Sequence, residues 1–185
     1  MAENTSKTAL IVVDVQRAAT NKEDRLKFGY NRCGDCIMNI NRLIAYGQRM
    51  GWDIIYVAHS TPWYYPIHAA FTGFMFMKGS ANVRFDERLQ VIGSNRFEKT
   101  VGSALTNGKL KKLLKKNGIE KVMVCGFAAD TCVSSTARSA LARGYKVTVV
   151  SDSCIARTDE KAKTAFEKLL AEDIEIETTS NIVLR

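Results

Sequence analysis

Residues 121–154 combine two short apolar runs with a helical pattern between them, and this combination restricts the fold more than any other segment. The stretch reads KVMVCGFAADTCVSSTARSALARGYKVTVVSDSC. A β-branched run at 121–125 is broken by Gly126, small and apolar residues recur at helical spacing over 132–143, and a second β-branched run occupies 145–150. This order predicts a strand–helix–strand unit with parallel strands and a right-handed crossover.

The same alternation of strand and helix continues along most of the chain. Further strands are predicted at 8–13, 53–58, 96–98 and 174–178, and further helices at 36–50, 107–117 and 159–172. Residues 59–94 contain both prolines and many aromatic residues, and predict a long excursion over one edge of the sheet. We therefore expect a single domain over residues 1–185, of the α/β class, a three-layer αβα arrangement with a mostly parallel, six-stranded, Rossmann-like sheet.

Composition narrows the functional classes. No apolar run reaches transmembrane length, and the run near the amino terminus is too short for a signal peptide, so we expect a cytoplasmic protein and no membrane partner. An odd number of cysteines, five, favours reduced thiols over a disulfide framework. Cys33 and Cys36 form a C-x-x-C, but no second pair accompanies it, so we interpret the spacing as a coincidence at a helix start.

The chain is basic, with a formal net charge of +8. Part of this charge lies in KLKKLLKK, residues 109–116, whose spacing is typical of the solvated face of an amphipathic helix. Because no nucleic-acid-binding motif accompanies the charge, nucleic acid is not an expected partner. The positive field favours an anionic substrate or product instead.

Two reactive side chains follow predicted strands. Asp14 comes directly after the first strand, and Cys132 starts the helix of the central unit. Ligands of open parallel sheets bind beyond the carboxyl ends of the strands, where both residues are expected. A thiol at a helix start lies near the positive end of the helix dipole, which lowers the thiol pKa. The local pattern alone leaves two alternatives open, since Asp14 could be a cap and Cys132 a packing residue.

Three landmarks together resemble the isochorismatase-like cysteine hydrolases, a family that includes nicotinamidases and N-carbamoylsarcosine amidohydrolases. They are the strand that ends in DVQ, the segment FEKTVGSAL, and the block that begins GFAADTCV. The resemblance spans nearly the whole chain. It implies a catalytic triad of Asp14, Lys99 and Cys132, and a cis peptide bond between Phe127 and Ala128. It also implies an oxyanion hole made by the backbone N–H groups of Ala128 and Cys132.

The resemblance implies a hydrolase that cleaves the C–N bond of a small amide or carbamoyl substrate through a thioester. We expect Asp14 to accept the thiol proton, Lys99 to stabilise the thiolate and Cys132 to attack the carbonyl carbon. No organic cofactor is required, and a homo-oligomer, a dimer or tetramer, is expected. Two alternatives stay open: a nicotinamidase proper with a metal near His59 and His68, and a catalytically idle family member that acts as a binding protein.

The metal site of nicotinamidases consists of Asp, His and His after the second strand. The matching segment here, AHSTPWYYPIHAAF, places His59, Thr61 and His68 at those three positions. Two imidazoles and a hydroxyl match a zinc-like site poorly, so a divalent metal is not expected. If a metal does bind, His59 and His68 are at most its two ligands. The substrate pocket is expected to include Gln16, His59, Trp63, His68 and Leu105.

Overall fold

Six parallel strands form the central sheet of the protein. A computed structural model describes residues 7–20 and 33–184. The strands are β1 (Thr8–Val13), β2 (Asp53–His59), β3 (Arg96–Lys99), β4 (Lys121–Phe127), β5 (Lys146–Ile155) and β6 (Glu175–Glu177). They lie in the order β3-β2-β1-β4-β5-β6, and each neighbouring pair is parallel. The predicted α/β class and six-stranded sheet are confirmed.

Seven α-helices accompany the sheet in the described part of the chain. They are α1 (Arg17–Thr20), α2 (Cys33–Arg49), α3 (Pro66–Phe71), α4 (Gly108–Lys116), α5 (Ser134–Leu141), α6 (Asp159–Leu170) and α7 (Thr179–Val183). Right-handed crossovers that leave the centre of the sheet in opposite directions place α2 and α5 on opposite faces. None of these helices is long and apolar enough to span a bilayer.

The core is built around β1, which is buried along its whole length between β2 and β4. A strand covered on both faces reads as a continuous apolar run, and TALIVV does so. Helix α2 contributes an apolar stripe at helical spacing, made of Ile37, Ile40, Leu43 and Ile44. Cys33 and Cys36 lie in its first turn, and both are buried free thiols.

Several element boundaries differ from the sequence prediction by a few residues. Strand β5 continues to Ile155, beyond the predicted end at 150, through the polar stretch SDSC. Its polar groups are satisfied by the start of α7, because Asp152 Oδ1 accepts from the backbone N–H of Thr179 at 2.8 Å and Ser153 Oγ lies 2.8 Å from Thr179 Oγ1. The predicted helix at 132–143 begins instead as a π turn, Ala129–Val133, from which α5 follows.

The order of strands reverses between β1 and β4, so their carboxyl ends form a crevice there. Gly126 of β4 lies opposite Val13 of β1 and has a φ of +116°. A Cβ atom at Gly126 would lie 2.0 Å from the carbonyl oxygen of Val13. Only glycine therefore allows β1 and β4 to approach this closely just before the crevice.

Candidate active site

Asp14 lies at the carboxyl end of β1, at the bottom of the crevice. Its backbone has a φ of +53°, a left-handed conformation that Asp tolerates better than most residues, and its N–H donates to Val57 O at 2.8 Å. The side chain is buried, with Oδ2 2.6 Å from Lys99 Nζ. The other oxygen, Oδ1, is buried and has no hydrogen-bond partner among the described residues, so it is placed to receive a proton.

Lys99 ends β3 and reaches the crevice past the end of β2. Its ammonium lies 2.6 Å from Asp14 Oδ2, 3.3 Å from Cys132 Sγ and 3.3 Å from His59 Nδ1. The side chain is fully buried. Burial lowers the pKa of Lys99, but the charge of Asp14 and the hydrogen bonds to Asp14 and Cys132 outweigh it and hold the pKa above its usual value. Lys99 is therefore a cation within the site.

Cys132 lies within the π turn between β4 and α5. Single π turns are often found at functional sites because they re-aim side chains. The carbonyl oxygen of Cys132 accepts from Thr136 Oγ1 at 2.7 Å, and the same hydroxyl accepts from the backbone N–H of Ala104 at 3.0 Å. The turn that carries the thiol is thus tied to the loop after β3. The peptide bond between Phe127 and Ala128, just before the turn, is cis.

The electrostatics of the thiol differ from the expectation of a lowered pKa. The pKa of Cys132 is raised to about 12, mainly by burial and also by the charge of Asp14, while the Lys99 ammonium opposes the shift. The prediction considered only the helix dipole, whereas removal of the half-buried thiol from water has the larger effect on its pKa. Burial also raises the pKa of Asp14 despite the opposing Lys99 charge. The resting thiol is therefore protonated, and it needs a neighbouring base to become a nucleophile.

His59 ends β2 and lies next to Lys99 across the sheet. The pKa of His59 is lowered to about 3, mainly by burial and also by the charges of Lys99 and His68, so the imidazole is neutral. Its Nε2 lies 3.3 Å from both Thr61 Oγ1 and His68 Nε2. The rings of His59 and His68 are nearly parallel, with centroids 5.3 Å apart.

A cavity of about 370 Å³ opens above the triad. Its walls include Asp14, His59, Cys132 and both residues of the cis peptide bond. The remaining lining residues are Ala19, Thr72, Phe76, Asp130, Thr131, Arg157 and Lys161. Sequence reasoning missed this second group. Of these residues, Arg157 and Lys161 could have been predicted, since they follow the carboxyl end of β5, where ligands of parallel sheets bind.

The other predicted pocket residues lie outside the cavity wall. Trp63 is 79% exposed and contacts Tyr64 edge to face, and Leu105 is buried in the core. His68 is not part of the cavity wall, and its Nε2 lies 3.3 Å from Nε2 of His59, which is. Gln16 is completely buried, and its amide bonds to main-chain groups: Nε2 donates to His59 O at 3.0 Å, and Oε1 accepts from His59 N at 2.8 Å.

The three positions that match the nicotinamidase metal site do converge, but their donors do not fit a metal. An ammonium can only donate, so His59 Nδ1 must accept from Lys99, and the single hydrogen of the neutral ring is then on Nε2. A protonated Nε2 has no lone pair for zinc, which leaves His68 and a hydroxyl. Ligand atoms of Asp14, His59 and Cys132 also lie within 4.8 Å of one another. That group surrounds the Lys99 ammonium, which already fills the place of a cation.

The sequence matches a known family over most of its length. The family described as Isochorismatase domain matches residues 8–180. The uncharacterized isochorismatase family protein YrdC of Bacillus subtilis is 29% identical over 151 residues, which cover 81% of this chain and 74% of YrdC. The ureidoacrylate amidohydrolase RutB of Pseudomonas savastanoi is 27% identical over 169 residues, which cover 78% of this chain and 69% of RutB.

Solved structures share the fold over nearly their full lengths. N-carbamoylsarcosine amidase from Thermoplasma acidophilum superimposes with a TM-score of 0.79 at 26% identity, covering 94% of this chain and 96% of that one. Pyrazinamidase of Pyrococcus horikoshii in complex with zinc gives a TM-score of 0.77 at 23% identity, covering 93% of this chain and 99% of that one. The second likeness is one of fold alone.

Proposed function

The chain belongs to the isochorismatase family of hydrolases, and from that premise we propose that it is a cysteine-dependent amidohydrolase that cleaves the C–N bond of a small amide or carbamoyl compound. The observation that carries the proposal is the Lys99 ammonium, which contacts both Asp14 Oδ2 and Cys132 Sγ at the wall of the cavity. A nucleophile, a base and a cation thus meet where a small substrate fits. The amidohydrolase names of relatives support the same bond type.

The first half of the reaction forms a thioester. A carboxylate oxygen of Asp14 lies within 4.8 Å of Cys132 Sγ, so Asp14 accepts the thiol proton as the sulfur attacks the carbonyl carbon. The carbonyl π electrons move to the oxygen, which the backbone N–H groups of Ala128 and Cys132 are proposed to stabilise. When the intermediate collapses, the C–N bond breaks, and the leaving nitrogen takes the proton from Asp14.

The second half hydrolyses the thioester. Asp14, again a carboxylate, takes a proton from water while the water oxygen attacks the thioester carbon. The C–S bond then breaks, and the sulfur regains the proton from Asp14. The products are ammonia or an amine and a carboxylic or carbamic acid. Lys99 stays protonated throughout and stabilises negative charge on sulfur in both steps. No step needs a metal or an organic cofactor, and we propose that none is required.

The wall of the cavity carries Asp14 and Asp130 as well as two exposed basic residues, and the basic pair favours a substrate that carries a carboxylate. Arg157 and Lys161 are exposed residues of the cavity wall, and both lie after β5. A guanidinium matches a carboxylate in geometry as well as in charge. We therefore propose ureido or N-carbamoyl acids as the substrate class. Nicotinamide is the less favoured candidate, because the donors at His59, Thr61 and His68 do not fit a metal.

Ammonia release from a panel of small amides tests the function. The panel contains ureido acids, N-carbamoyl amino acids, biuret and nicotinamide, and compares wild type with Cys132→Ala. Cys33→Ala is the matched control, because Cys33 is a buried thiol in α2. We expect release that vanishes in Cys132→Ala and persists in the control. Release that survives in Cys132→Ala would overturn the mechanism, and no release from any amide would favour a catalytically idle binding protein.

Two further expectations from the sequence accompany this function as proposals. The aromatic segment after β2 leaves Trp63, Tyr64 and Tyr65 between 51% and 79% exposed, and we propose it as the contact surface of a homo-oligomer. We also propose a cytoplasmic location.

A further inference from the structure

His59 contacts the catalytic lysine through one ring nitrogen and its own neighbours through the other. Nδ1 lies 3.3 Å from Lys99 Nζ, and Nε2 lies 3.3 Å from Thr61 Oγ1 and from His68 Nε2. The residue is only 6% exposed. His59 therefore connects the Lys99 ammonium to Thr61 and His68, which take no part in the proposed chemistry.

The backbone of His59 is held on both sides. Gln16 accepts from its N–H and donates to its carbonyl oxygen, and the same amide donates to Val83 O at 2.7 Å. These bonds fix the end of β2 against the loop that follows β1. The ring itself packs edge to face against Phe76, with centroids 5.0 Å apart. Because the backbone of His59 is fixed and its ring is packed against Phe76, Nδ1 points in one direction.

The three hydrogens of the Lys99 ammonium have three acceptors nearby. Asp14 Oδ2, Cys132 Sγ and His59 Nδ1 surround Nζ at 2.6, 3.3 and 3.3 Å. A buried ammonium that lacks one of its acceptors is destabilised relative to the neutral amine and to an ammonium exposed to water. Without the third acceptor, Lys99 would be protonated less often, or its ammonium would move away from the Cys132 sulfur.

We propose that His59 is a positioning residue of the active site: its Nδ1 holds the Lys99 ammonium against the Cys132 sulfur. This inference rests on the proposed function, since it assigns His59 a role in activating the same thiol. Thr61 Oγ1 and His68 Nε2 both lie 3.3 Å from Nε2, so its single hydrogen has acceptors to choose from, which stabilises the tautomer that leaves Nδ1 free to accept. His59 acts only through Lys99 and exchanges no proton with the substrate.

The test reads the chemistry of the thiol and needs no knowledge of the substrate. Iodoacetamide alkylation of Cys132 is followed by peptide mass over a range of pH in wild type, His59→Leu and His59→Asn. The other four cysteines are at most 7% exposed, so Cys132 is the thiol expected to react in the native protein. Leucine removes the acceptor, whereas the side-chain oxygen of asparagine can take the place of Nδ1. Thr100→Val is the control: Thr100 follows Lys99 and its Oγ1 donates to Ser60 O at 3.2 Å, so this variant disturbs the same strand ends and keeps the contacts of both His59 ring nitrogens.

We expect His59→Leu to slow alkylation by about tenfold and to move its pH profile to higher pH, since the thiolate loses electrostatic stabilisation. His59→Asn and Thr100→Val should stay within about threefold of wild type. A folded His59→Leu protein with the wild-type rate and profile would overturn the proposal. So would a His59→Asn protein as slow as His59→Leu.

A second measurement keeps the proposal testable if His59→Leu does not fold. The ¹⁵N shifts of the His59 ring in wild type report which nitrogen carries the hydrogen. A hydrogen on Nε2 supports the proposal, and a hydrogen on Nδ1 would overturn it. Stoichiometric zinc that is lost in His68→Ala would overturn it as well, because a zinc-bound Nε2 carries no hydrogen. Failure of the proposed function appears differently, as ammonia release that survives Cys132→Ala.

Discussion

Lys99 Nζ lies 2.6 Å from Asp14 Oδ2, and the two side chains are 0% and 5% exposed. Taking two charges out of water costs free energy that their attraction repays only in good geometry, and removing one partner leaves the other charge uncompensated. The pair is therefore a constraint on stability as well as the electrostatic centre of the proposed mechanism. Substitution of either residue is therefore expected to change both the stability of the protein and the proposed catalysis.

Lys99→Met should lower the free energy of unfolding by about 3–5 kcal/mol near neutral pH, because the Asp14 carboxylate is left buried without its cation. The double variant Asp14→Asn with Lys99→Met should lose less than the sum of the single variants. Urea unfolding measures both. Lys78→Met is the matched control: Lys78 and Glu98 are 3.3 Å apart but 64% and 58% exposed, so we expect a loss of at most about 1 kcal/mol. Equal losses at the two lysines would contradict the prediction.

Acid should destabilise the protein through His59. The pKa of His59 is about 3 in the folded protein, mainly because of burial, against 6.5 for the ordinary side chain. Between these values the unfolded chain binds a proton that the folded chain does not, so the free energy of unfolding falls as pH falls from 6.5 towards 3. One proton contributes a slope of up to about 1.4 kcal/mol per pH unit.

His59→Asn isolates this contribution, since asparagine does not titrate. Urea unfolding of wild type and His59→Asn at several pH values gives the difference in slope. We expect the wild type to lose more stability than the variant over the acid range. Parallel curves would show that His59 titrates normally in the folded protein.

Gly126→Ala should be severely destabilising, by several kcal/mol. The new Cβ would lie 2.0 Å from Val13 O, and the φ of +116° is unfavourable for any side chain. Gly34→Ala is the matched control, because nothing lies within 4 Å of its Cβ position inside α2. That substitution should be neutral or stabilise by up to about 1 kcal/mol. A Gly126→Ala protein with wild-type unfolding would show that β1 and β4 can separate at this point.

The parallel sheet and the placement of Asp14 and Cys132 at the carboxyl ends of strands follow from local patterns in the sequence, whereas the chemistry of the site depends on burial. The continuous apolar run of β1 and the glycine after the central run predicted the sheet, because backbone pairing and side-chain period act locally. The raised pKa of Cys132 was not predictable, since the neighbours that enclose the thiol come from distant segments. Gln16 illustrates the same point, because its two partners on His59 lie 43 positions away.

The exposed aromatic segment should mediate self-association. Trp63 is 79% exposed, and Tyr64 and Tyr65 beside it are 62% and 51% exposed. Trp63→Ser combined with Tyr65→Ser removes much of this apolar surface, and we expect a shift toward monomer in sedimentation equilibrium. Met38→Ser, at a surface residue of α2 that is 56% exposed, is the control and should leave the association unchanged. A wild type that is monomeric at all concentrations would contradict the assignment.

Arg157→Gln should separate binding from chemistry for carboxylate-bearing amides. The exposed guanidinium lies in the cavity wall, so its loss weakens ground-state binding of an anionic substrate, while the triad stays intact. A charge-assisted hydrogen bond of about 1.5 kcal/mol corresponds to a rise in KM of roughly tenfold, with little change in kcat. A neutral amide of similar size should show less than about a twofold change. Arg143→Gln is the control, because Arg143 is exposed at the end of α5 and donates to Ser139 O outside this cavity. Equal rises in KM for anionic and neutral amides would mean that Arg157 shapes the cavity rather than recognises a carboxylate.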